Sequence, residues 1–311
     1  MPTPSAIKVE GLAKYYGDLL AVDHVSLNVN EGEFFGFLGP NGAGKTTTVR
    51  MLTGVIGPDE GKARILGHPA GSLRAKQETA VVPEMANAYL DLSAWTNLTL
   101  MMELYGIPVK EGKQRAEKLL QELGLSERKN DAVRGFSGGM RQRLILCMAL
   151  VSDAQVLFLD EPTTALDVQS TRLIRAMLRN LKQEQKTIFL TTHNMDEANE
   201  LCDRVAIINR GRIVATDRPD NLREAVTRQH LVEVVFHRPV PAESLSQLPN
   251  VDRAENTEDG VRILTADPCA VVASLMNYSE DNGLRMEDLH VVPPSLEDAF
   301  VQLTEEGVGD G

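Results

Sequence analysis

The segment from Gly39 to Thr46 holds the residues whose types and spacing point most directly to chemistry. It reads Gly-Pro-Asn-Gly-Ala-Gly-Lys-Thr and lies between an apolar strand pattern ending at Leu38 and a helix pattern starting at Lys45. Glycines in such a loop let successive backbone N–H groups point at an anion, and the helix adds its positive end. The pattern predicts a phosphate-binding loop in which Lys45 meets the β- and γ-phosphates and Thr46 ligates Mg²⁺.

A second run ends in two adjacent carboxylates. Four apolar residues at 156–159 precede Asp160 and Glu161, and this pattern predicts a buried strand that delivers both acids at its end. Mg²⁺ prefers oxygen ligands and keeps several waters, so we interpret Asp160 as a metal partner. Glu161 is placed to deprotonate an attacking water. A solvated acidic pair before the turn at Pro162 fits the same letters, and the phosphate-binding loop is what favours the metal site.

A third anion-binding feature precedes this strand. Ser137, Gly138 and Gly139 open a predicted helix, where a hydroxyl and free N–H groups can face a phosphate. A serine N-cap alone accounts for the same residues. Next to a phosphate-binding loop, however, a second cradle suggests phosphates held from both sides.

Taken together and in this order, the motifs resemble those of the ATP-binding subunits of ABC transporters, over about residues 5–217. Gly39–Thr46 matches the Walker A motif, and 156–161 matches Walker B with its catalytic glutamate. Residues 137–140 match the family signature, although Phe136 and Met140 replace the usual Leu and Gln. Residues 165–167 match the D-loop.

The resemblance implies ATP and Mg²⁺ as cofactors and assigns the site residues. It gives catalysis to Glu161, His193 and Lys45, and the metal to Thr46, Glu84 and Asp160. The implied nucleotide-binding residues are Tyr16, Gly39, Pro40, Asn41, Gly42, Ala43, Gly44, Lys45, Thr46, Thr47, Ser137, Gly138, Gly139 and Asp167.

Three of these assignments depend on the resemblance. Tyr16 matches the aromatic residue that stacks on adenine, but a tyrosine before a glycine also fits turn packing. His193 matches the switch histidine that contacts the γ-phosphate, whereas a histidine taken singly fits a surface position. Glu84 stands where most members have a glutamine.

Strand and helix patterns alternate through the first two thirds of the chain, which predicts an α/β fold with a mostly parallel sheet. The resemblance adds a P-loop NTPase cassette with an N-terminal antiparallel β part and a helical subdomain over about 85–152. We expect an ATPase domain at 1–217, a linker at 218–229 and a small α+β accessory domain at 230–311. The predicted strands of the first domain are 33–38, 79–82, 156–159, 187–191, 205–209 and 212–216; its clearest helix is 110–123. The predicted strands of the second domain are 231–236, 260–264 and 289–292; its helices are 268–278 and 295–305.

Composition excludes several classes of protein. The 311 residues carry a formal net charge of −12, which argues against holding nucleic acid or anionic lipid by charge. No apolar run approaches the roughly 18–20 residues that span a bilayer. The three cysteines lie far apart without a metal-binding spacing, as is usual for reduced thiols in the cytoplasm.

These features lead to a functional expectation. The tail Pro294–Leu303 resembles that of the accessory domain in the drug, antibiotic and sodium export branch of the family. The resemblance therefore implies an ATP-hydrolysing motor subunit of an exporter, with a membrane permease and a second copy of itself as partners and no nucleic acid. It implies a cytoplasmic protein, peripheral on the inner face of the cell membrane. The alternatives are a non-transport ABC ATPase and a non-catalytic regulatory module.

Overall fold

The computed structural model describes residues 4–84, 88–226, 230–292 and 295–306. Parts of the expectations lie outside these residues: the first three residues of the ATPase domain, the start of the helical subdomain at 85–87, the end of the linker at 227–229, and residues 293–294 and 307–311 of the accessory domain, which include Pro294 of the C-terminal tail. No helix in the described ranges is long and apolar enough to cross a membrane.

The elements follow one another along the chain as strands β1–β14 and helices α1–α11. The strands are β1 Ser5–Tyr16, β2 Leu19–Asn30, β3 Phe34–Leu38, β4 Glu60–Ile65, β5 His68–Pro69, β6 Thr79–Val82, β7 Val156–Asp160, β8 Thr187–Thr192, β9 Arg204–Asn209, β10 Arg212–Asp217, β11 His230–Phe236, β12 Arg253–Asn256, β13 Val261–Thr265 and β14 Met286–Val292. The helices are α1 Lys45–Leu52, α2 Leu73–Gln77, α3 Ala94–Leu104, α4 Val109–Glu122, α5 Gly138–Leu150, α6 Val168–Gln183, α7 Met195–Leu201, α8 Pro219–Val226, α9 Ala242–Leu245, α10 Pro268–Asp281 and α11 Leu296–Glu306, with short 3₁₀ turns at Ser126–Arg128 and Val133–Gly135.

The central sheet positions the phosphate-binding loop. Its strand order is β10-β9-β3-β8-β7-β6, with β9, β3, β8, β7 and β6 parallel and β10 antiparallel at the edge. The parallel strands are apolar, as strands buried on both faces are, and every residue of β3 and β7 is buried. The Phe189 ring lies 5.4–5.7 Å from those of Phe35, Phe37 and Phe158. This packing fixes the strand ends that carry the motifs.

A second, antiparallel sheet has the order β2-β1-β4-β5. In β2 the residues Val22, Val25, Leu27 and Val29 are buried, and polar positions separate them, as in a sheet with one face on the core. The two sheets share one apolar core. The sheet brings Tyr16, at the end of β1, close to the start of α1.

Helices α3, α4 and α5 lie between β6 and β7 in the chain. Helix α4 buries Ala116, Leu119 and Leu120 on one face, the helical spacing that the sequence predicts. Gly124 follows it with a φ of 65°, where glycine ends a helix without strain. Ser137 is the N-cap of helix α5, and its Oγ accepts a hydrogen bond from the Met140 amide at 3.2 Å.

The chain divides into two compact units, residues 1–219 and 220–311. The second unit has a four-stranded antiparallel sheet of order β12-β13-β11-β14 and an apolar core of its own. The segment 218–229, expected as a linker, includes helix α8. The sequence did not predict helix α9 or strand β12 of this unit. Each is only four residues long and at least half polar, so it has no clear apolar periodicity.

Candidate functional site

The loop after β3 turns sharply into α1 at two glycines. Gly42 and Gly44 have φ angles of 80° and 104°, in the left-handed region that favours glycine. A Cβ on Gly44 would lie only 2.6 Å from the Ala21 carbonyl oxygen. A side chain there is therefore excluded on two grounds. Helix α1 starts directly after these glycines, with Gly44 as its N-cap, so the positive end of the helix lies at the loop, an arrangement suited to phosphate.

Lys45 is the first residue of α1, and its side chain contacts this loop. Its Nζ donates to the carbonyl oxygens of Gly39 and Pro40 at 2.7 and 3.1 Å. The same Nζ is 3.1 Å from Oε1 of Glu161, and both side chains are only 6% exposed. Lys45 thus forms a buried ion pair with the first residue after β7.

Asp160 ends β7 next to Thr191 of β8, its register partner in the parallel pair. The Thr191 hydroxyl donates to Asp160 Oδ1 at 2.5 Å, and the Thr46 hydroxyl does so at 3.3 Å. Thr46 and Asp160 were predicted to share a metal, and the structure places their oxygens side by side. Oxygen donors of this kind are those that Mg²⁺ prefers.

Glu161 leaves the strand in an unusual backbone conformation, with a φ of 52°. Its amide donates to the Thr191 carbonyl oxygen at 3.1 Å, which holds the turn. Its Oε2 accepts a hydrogen bond from the Thr164 hydroxyl at 3.0 Å and lies 2.8 Å from Nδ1 of His193. The carboxylate therefore contacts Lys45 through one oxygen and His193 through the other.

A pocket of about 520 Å³ opens above these residues. It is lined by Tyr16, Leu19, Ala21, Asn41, Gly42, Gly44, Lys45, Thr46, Thr47, Glu84 and Glu161. The Tyr16 side chain is partly exposed at its rim, as a ring that stacks on a base must be. Four other predicted residues contact a residue of the pocket lining. Asp160 contacts Thr46, His193 contacts Glu161, and the Gly39 and Pro40 carbonyls contact Lys45. Ala43 is buried within the loop.

Ser137, Gly138, Gly139 and Asp167 form a separate cluster in the same chain. None of them lines the pocket. Asp167 caps α6 by accepting from the Ser170 amide and hydroxyl, both at 2.8 Å, and these two bonds hold the pKa of Asp167 below its ordinary value. A Cβ on Gly139 would lie 2.7 Å from Asp167 Oδ2. The starts of α5 and α6 therefore pack closely against each other.

Several residues of the site were not predicted. Thr191 bonds both Asp160 and Glu161, and its place at the end of the strand beside β7 is the signal that could have identified it. Leu19 and Ala21 line the pocket beside Tyr16 and alternate along β2, so they share one face of it. Thr164 contacts Glu161 across a turn, a relation that carries no sequence signal of its own.

Known proteins match this chain in sequence and in fold. The sequence family described as "ABC transporter" matches residues 22–164. The Nod factor export ATP-binding protein I of Ralstonia nicotianae is 40% identical over 303 residues, which cover 96% of this chain and 93% of that protein. The protein of the same name from Rhizobium sp. (strain N33) is 40% identical over 96% of this chain and 97% of its own length. The chain belongs to the ATP-binding subunits of ABC transporters.

Solved structures of other ABC ATP-binding subunits have the same fold. An ATP-binding subunit of an ABC transporter superposes with a TM-score of 0.66 at 27% identity, over 71% of this chain and 92% of the other. An ATP-binding cassette in a dimeric, post-hydrolysis state with ADP and Pi gives a TM-score of 0.63 at 25% identity, over 68% and 98%. This ABC subunit is an ATPase with a P-loop cassette fold. The alternatives of a non-transport ATPase and a regulatory module are not favoured.

Proposed function

We propose that this ABC subunit is the motor of an exporter and drives a separate membrane permease from the cytoplasmic face by hydrolysing ATP. The observation that carries the proposal is the convergence of Lys45, Glu161 and His193, with contacts of 3.1 and 2.8 Å around one carboxylate. This carboxylate lies directly below a pocket of nucleotide dimensions. A regulatory module without catalysis has no need of this arrangement.

The roles of the side chains follow from their contacts. Two loop carbonyls accept hydrogen bonds from the Lys45 ammonium and hold it in the loop. The ammonium is therefore positioned to bind the β- and γ-phosphates when its ion pair with Glu161 breaks. Glu161 is positioned to take a proton from the water that attacks the γ-phosphate. His193 and Thr164 orient the carboxylate. The products are ADP and phosphate.

The site fits Mg²⁺ as well. When bound, Mg²⁺ neutralises charge on the β- and γ-phosphate oxygens. Thr46 and Asp160 offer adjacent oxygens, and Glu84 lines the same pocket. No group of three or more His, Cys, Asp or Glu that could hold a metal occurs in the described part of the chain. The ion must therefore take further ligands from phosphates and waters, which is the usual way Mg²⁺ binds with nucleotides.

We further propose that two copies pair around ATP. Ser137 and Gly138 are exposed and do not line the pocket of their own chain, although Ser137 opens a helix suited to phosphate. Each composite site then uses Lys45, Asp160, Glu161 and His193 of one copy with Ser137 and Gly139 of the other. The dimeric state of the related cassette with ADP and Pi supports this arrangement.

The proposed membrane partner is a permease, and the helical segment of this chain around 84–105 is proposed to receive a cytoplasmic helix of that permease. Export is proposed because the relatives matched over nearly the whole chain are named export ATP-binding proteins. In this arrangement the subunit is peripheral on the inner face of the membrane.

The test is to co-express the full chain with each polytopic membrane protein found in the neighbouring reading frames and to purify the complex through a tag on the membrane protein. We expect the chain to co-purify and its Mg-ATPase activity to rise in vesicles containing the pair. The chain with Lys45→Ala serves as the matched control for hydrolysis. A chain that hydrolyses ATP but never binds the membrane protein would contradict the transport role alone.

A further inference from the structure

Glu197 is a buried carboxylate that the proposed reaction does not use. It lies on α7, four residues after His193, and its side chain is fully buried. Its Oε2 has no hydrogen-bond partner within the described ranges, and burial raises the pKa of Glu197 above the ordinary value. A carboxylate is costly to bury unless specific partners compensate, so its contacts indicate why it is there.

The closest partner of Glu197 is Thr163, whose hydroxyl donates to Glu197 Oε1 at 2.8 Å. Arg175 of α6 is more distant, with Nε 3.9 Å from the same oxygen. Its guanidinium donates to Glu200 at 3.0 Å instead. Hydrogen bonding to Thr163 and, to a smaller extent, to Thr192 lowers the pKa of Glu197 against the effect of burial, and Thr163 is the partner that lies in the short segment between Glu161 and α6.

Thr163 contacts Glu197 and follows Glu161 by two residues in the chain. The next residue, Thr164, donates to Glu161 Oε2 at 3.0 Å, and the same oxygen is 2.8 Å from His193 Nδ1. Two contacts thus join the same pair of segments, one between Glu161 and His193 and one between Thr163 and Glu197. The His193 side chain is 49% exposed and that of Glu197 is not exposed at all. The second contact therefore has a fully buried carboxylate at one end and the half-buried Thr163 hydroxyl at the other.

We propose that Glu197 is a positioning residue for hydrolysis: through Thr163 it fixes the segment 161–164 against the segment 193–197, and so holds Glu161 and His193 in register. This inference rests on the function proposed above. Glu197 touches neither nucleotide nor water in the reaction. It acts through the Thr163 hydroxyl and the turn that leads back to Glu161.

The test compares Thr163→Val with Thr187→Val in the full chain. Thr187 lies at the opposite end of β8, where its buried hydroxyl accepts from the Gly32 amide at 2.9 Å. Both changes remove one hydroxyl bond from the same unit. We expect Thr163→Val to lower kcat about tenfold, the factor that corresponds to roughly one hydrogen bond, with KM for ATP unchanged. Thr187→Val is expected to keep its kcat, and Thr163→Ser to restore it.

A second measurement does not require turnover. Hydrogen exchange of the full chain should show faster exchange at 161–167 in Thr163→Val and not in Thr187→Val, since only the former releases this segment. Equal melting temperatures of the two Val variants exclude a general loss of stability.

The outcomes separate this inference from the function it rests on. If the chain and its complex hydrolyse ATP but Thr163→Val matches Thr187→Val in kcat and in exchange, the positioning role is wrong and the proposed function stands. If no form hydrolyses ATP, the proposed function fails, and the exchange result alone then decides whether Glu197 fixes the segment.

Discussion

Glu161 has two nitrogen neighbours, the Lys45 ammonium and the His193 imidazole. Glu161→Gln keeps the shape of the side chain but cannot take a proton. We expect kcat to fall by about 10² to 10⁴, the usual contribution of a general base. Binding of ATP should persist or strengthen, because the variant has no ion pair between Lys45 and residue 161 that phosphate must first displace. Steady-state hydrolysis and nucleotide-binding titrations measure the two effects, and near-normal hydrolysis would remove Glu161 from the mechanism.

Glu84 is the informative departure from the family pattern, and the structure places it on the pocket that Lys45 and Thr46 line. A carboxylate there can ligate Mg²⁺ but repels a triphosphate that arrives without the metal. We expect the ATPase to depend more steeply on free Mg²⁺ than it does in Glu84→Gln.

The measurement is a Mg²⁺ titration of ATPase activity for both forms. Glu31→Gln is the matched control, since Glu31 is an exposed carboxylate in the turn before β3. Superimposable curves for wild type and Glu84→Gln would show that the Glu84 carboxylate has no effect on the Mg²⁺ dependence of the ATPase.

At the scale of elements, the apolar strands were the part that the sequence predicted best. The strand at 79–82 has the same bounds in the structure, and those at 156–159 and 187–191 are each extended by one residue. Such strands are buried apart from Val81 of β6, so a short apolar run bounded by turn residues identifies them. The same reasoning predicts the positions of the phosphate-loop glycines and of the carboxylates after β7, because parallel strands end at one edge of the sheet.

What could not be predicted is how side chains from distant segments meet. Nothing in the order of residues places Glu197 against Thr163 or gives Lys45 an ion pair with Glu161. These contacts depend on turns such as that at Glu161, whose positive φ is unusual for a glutamate. Strand β12 was missed because Arg253–Asn256 is an exposed edge segment without apolar alternation.

The junction between α5 and α6 gives a prediction about stability. A Cβ on Gly139 would overlap Ser170 Oγ, whereas one on Gly138 meets nothing within 4 Å. Gly139→Ala is expected to destabilise the ATPase unit by about 1–3 kcal/mol, as overpacking does. Gly138→Ala is the matched control and should leave stability unchanged or slightly raised. Urea unfolding of the two variants compares their stability. Equal midpoints would mean that α5 and α6 can move apart to accept the added methyl group without loss of stability.

Across the whole molecule, charge is divided unequally. Residues 1–229 contain 28 acidic and 28 basic side chains, whereas 230–311 contain 16 acidic and four basic. The entire formal charge of −12 therefore belongs to the C-terminal region. The charge argument against anionic partners applies to that region and not to the ATPase unit. Two ATPase units can approach each other without net repulsion, so local groups decide whether they pair.

Pairing around ATP is the prediction at this scale. Because each proposed site is completed by a second copy, ATP binds the pair better than the single chain and shifts the equilibrium by mass action. Sedimentation of Glu161→Gln, which keeps ATP intact, should show a monomer alone or with Mg-ADP and a dimer with Mg-ATP. An unchanged mass with Mg-ATP at about tens of micromolar protein would contradict pairing.

A second substitution tests whether Ser137 completes the partner's site. Ser137→Asp keeps an N-cap acceptor for the Met140 amide but places a negative charge where the partner's phosphate is expected. Since Ser137 does not line its own pocket, ATP binding by the single chain should be unchanged. Combined with Glu161→Gln, the change should abolish the dimer with Mg-ATP. A dimer that persists in the double variant would mean that the two copies meet through another surface.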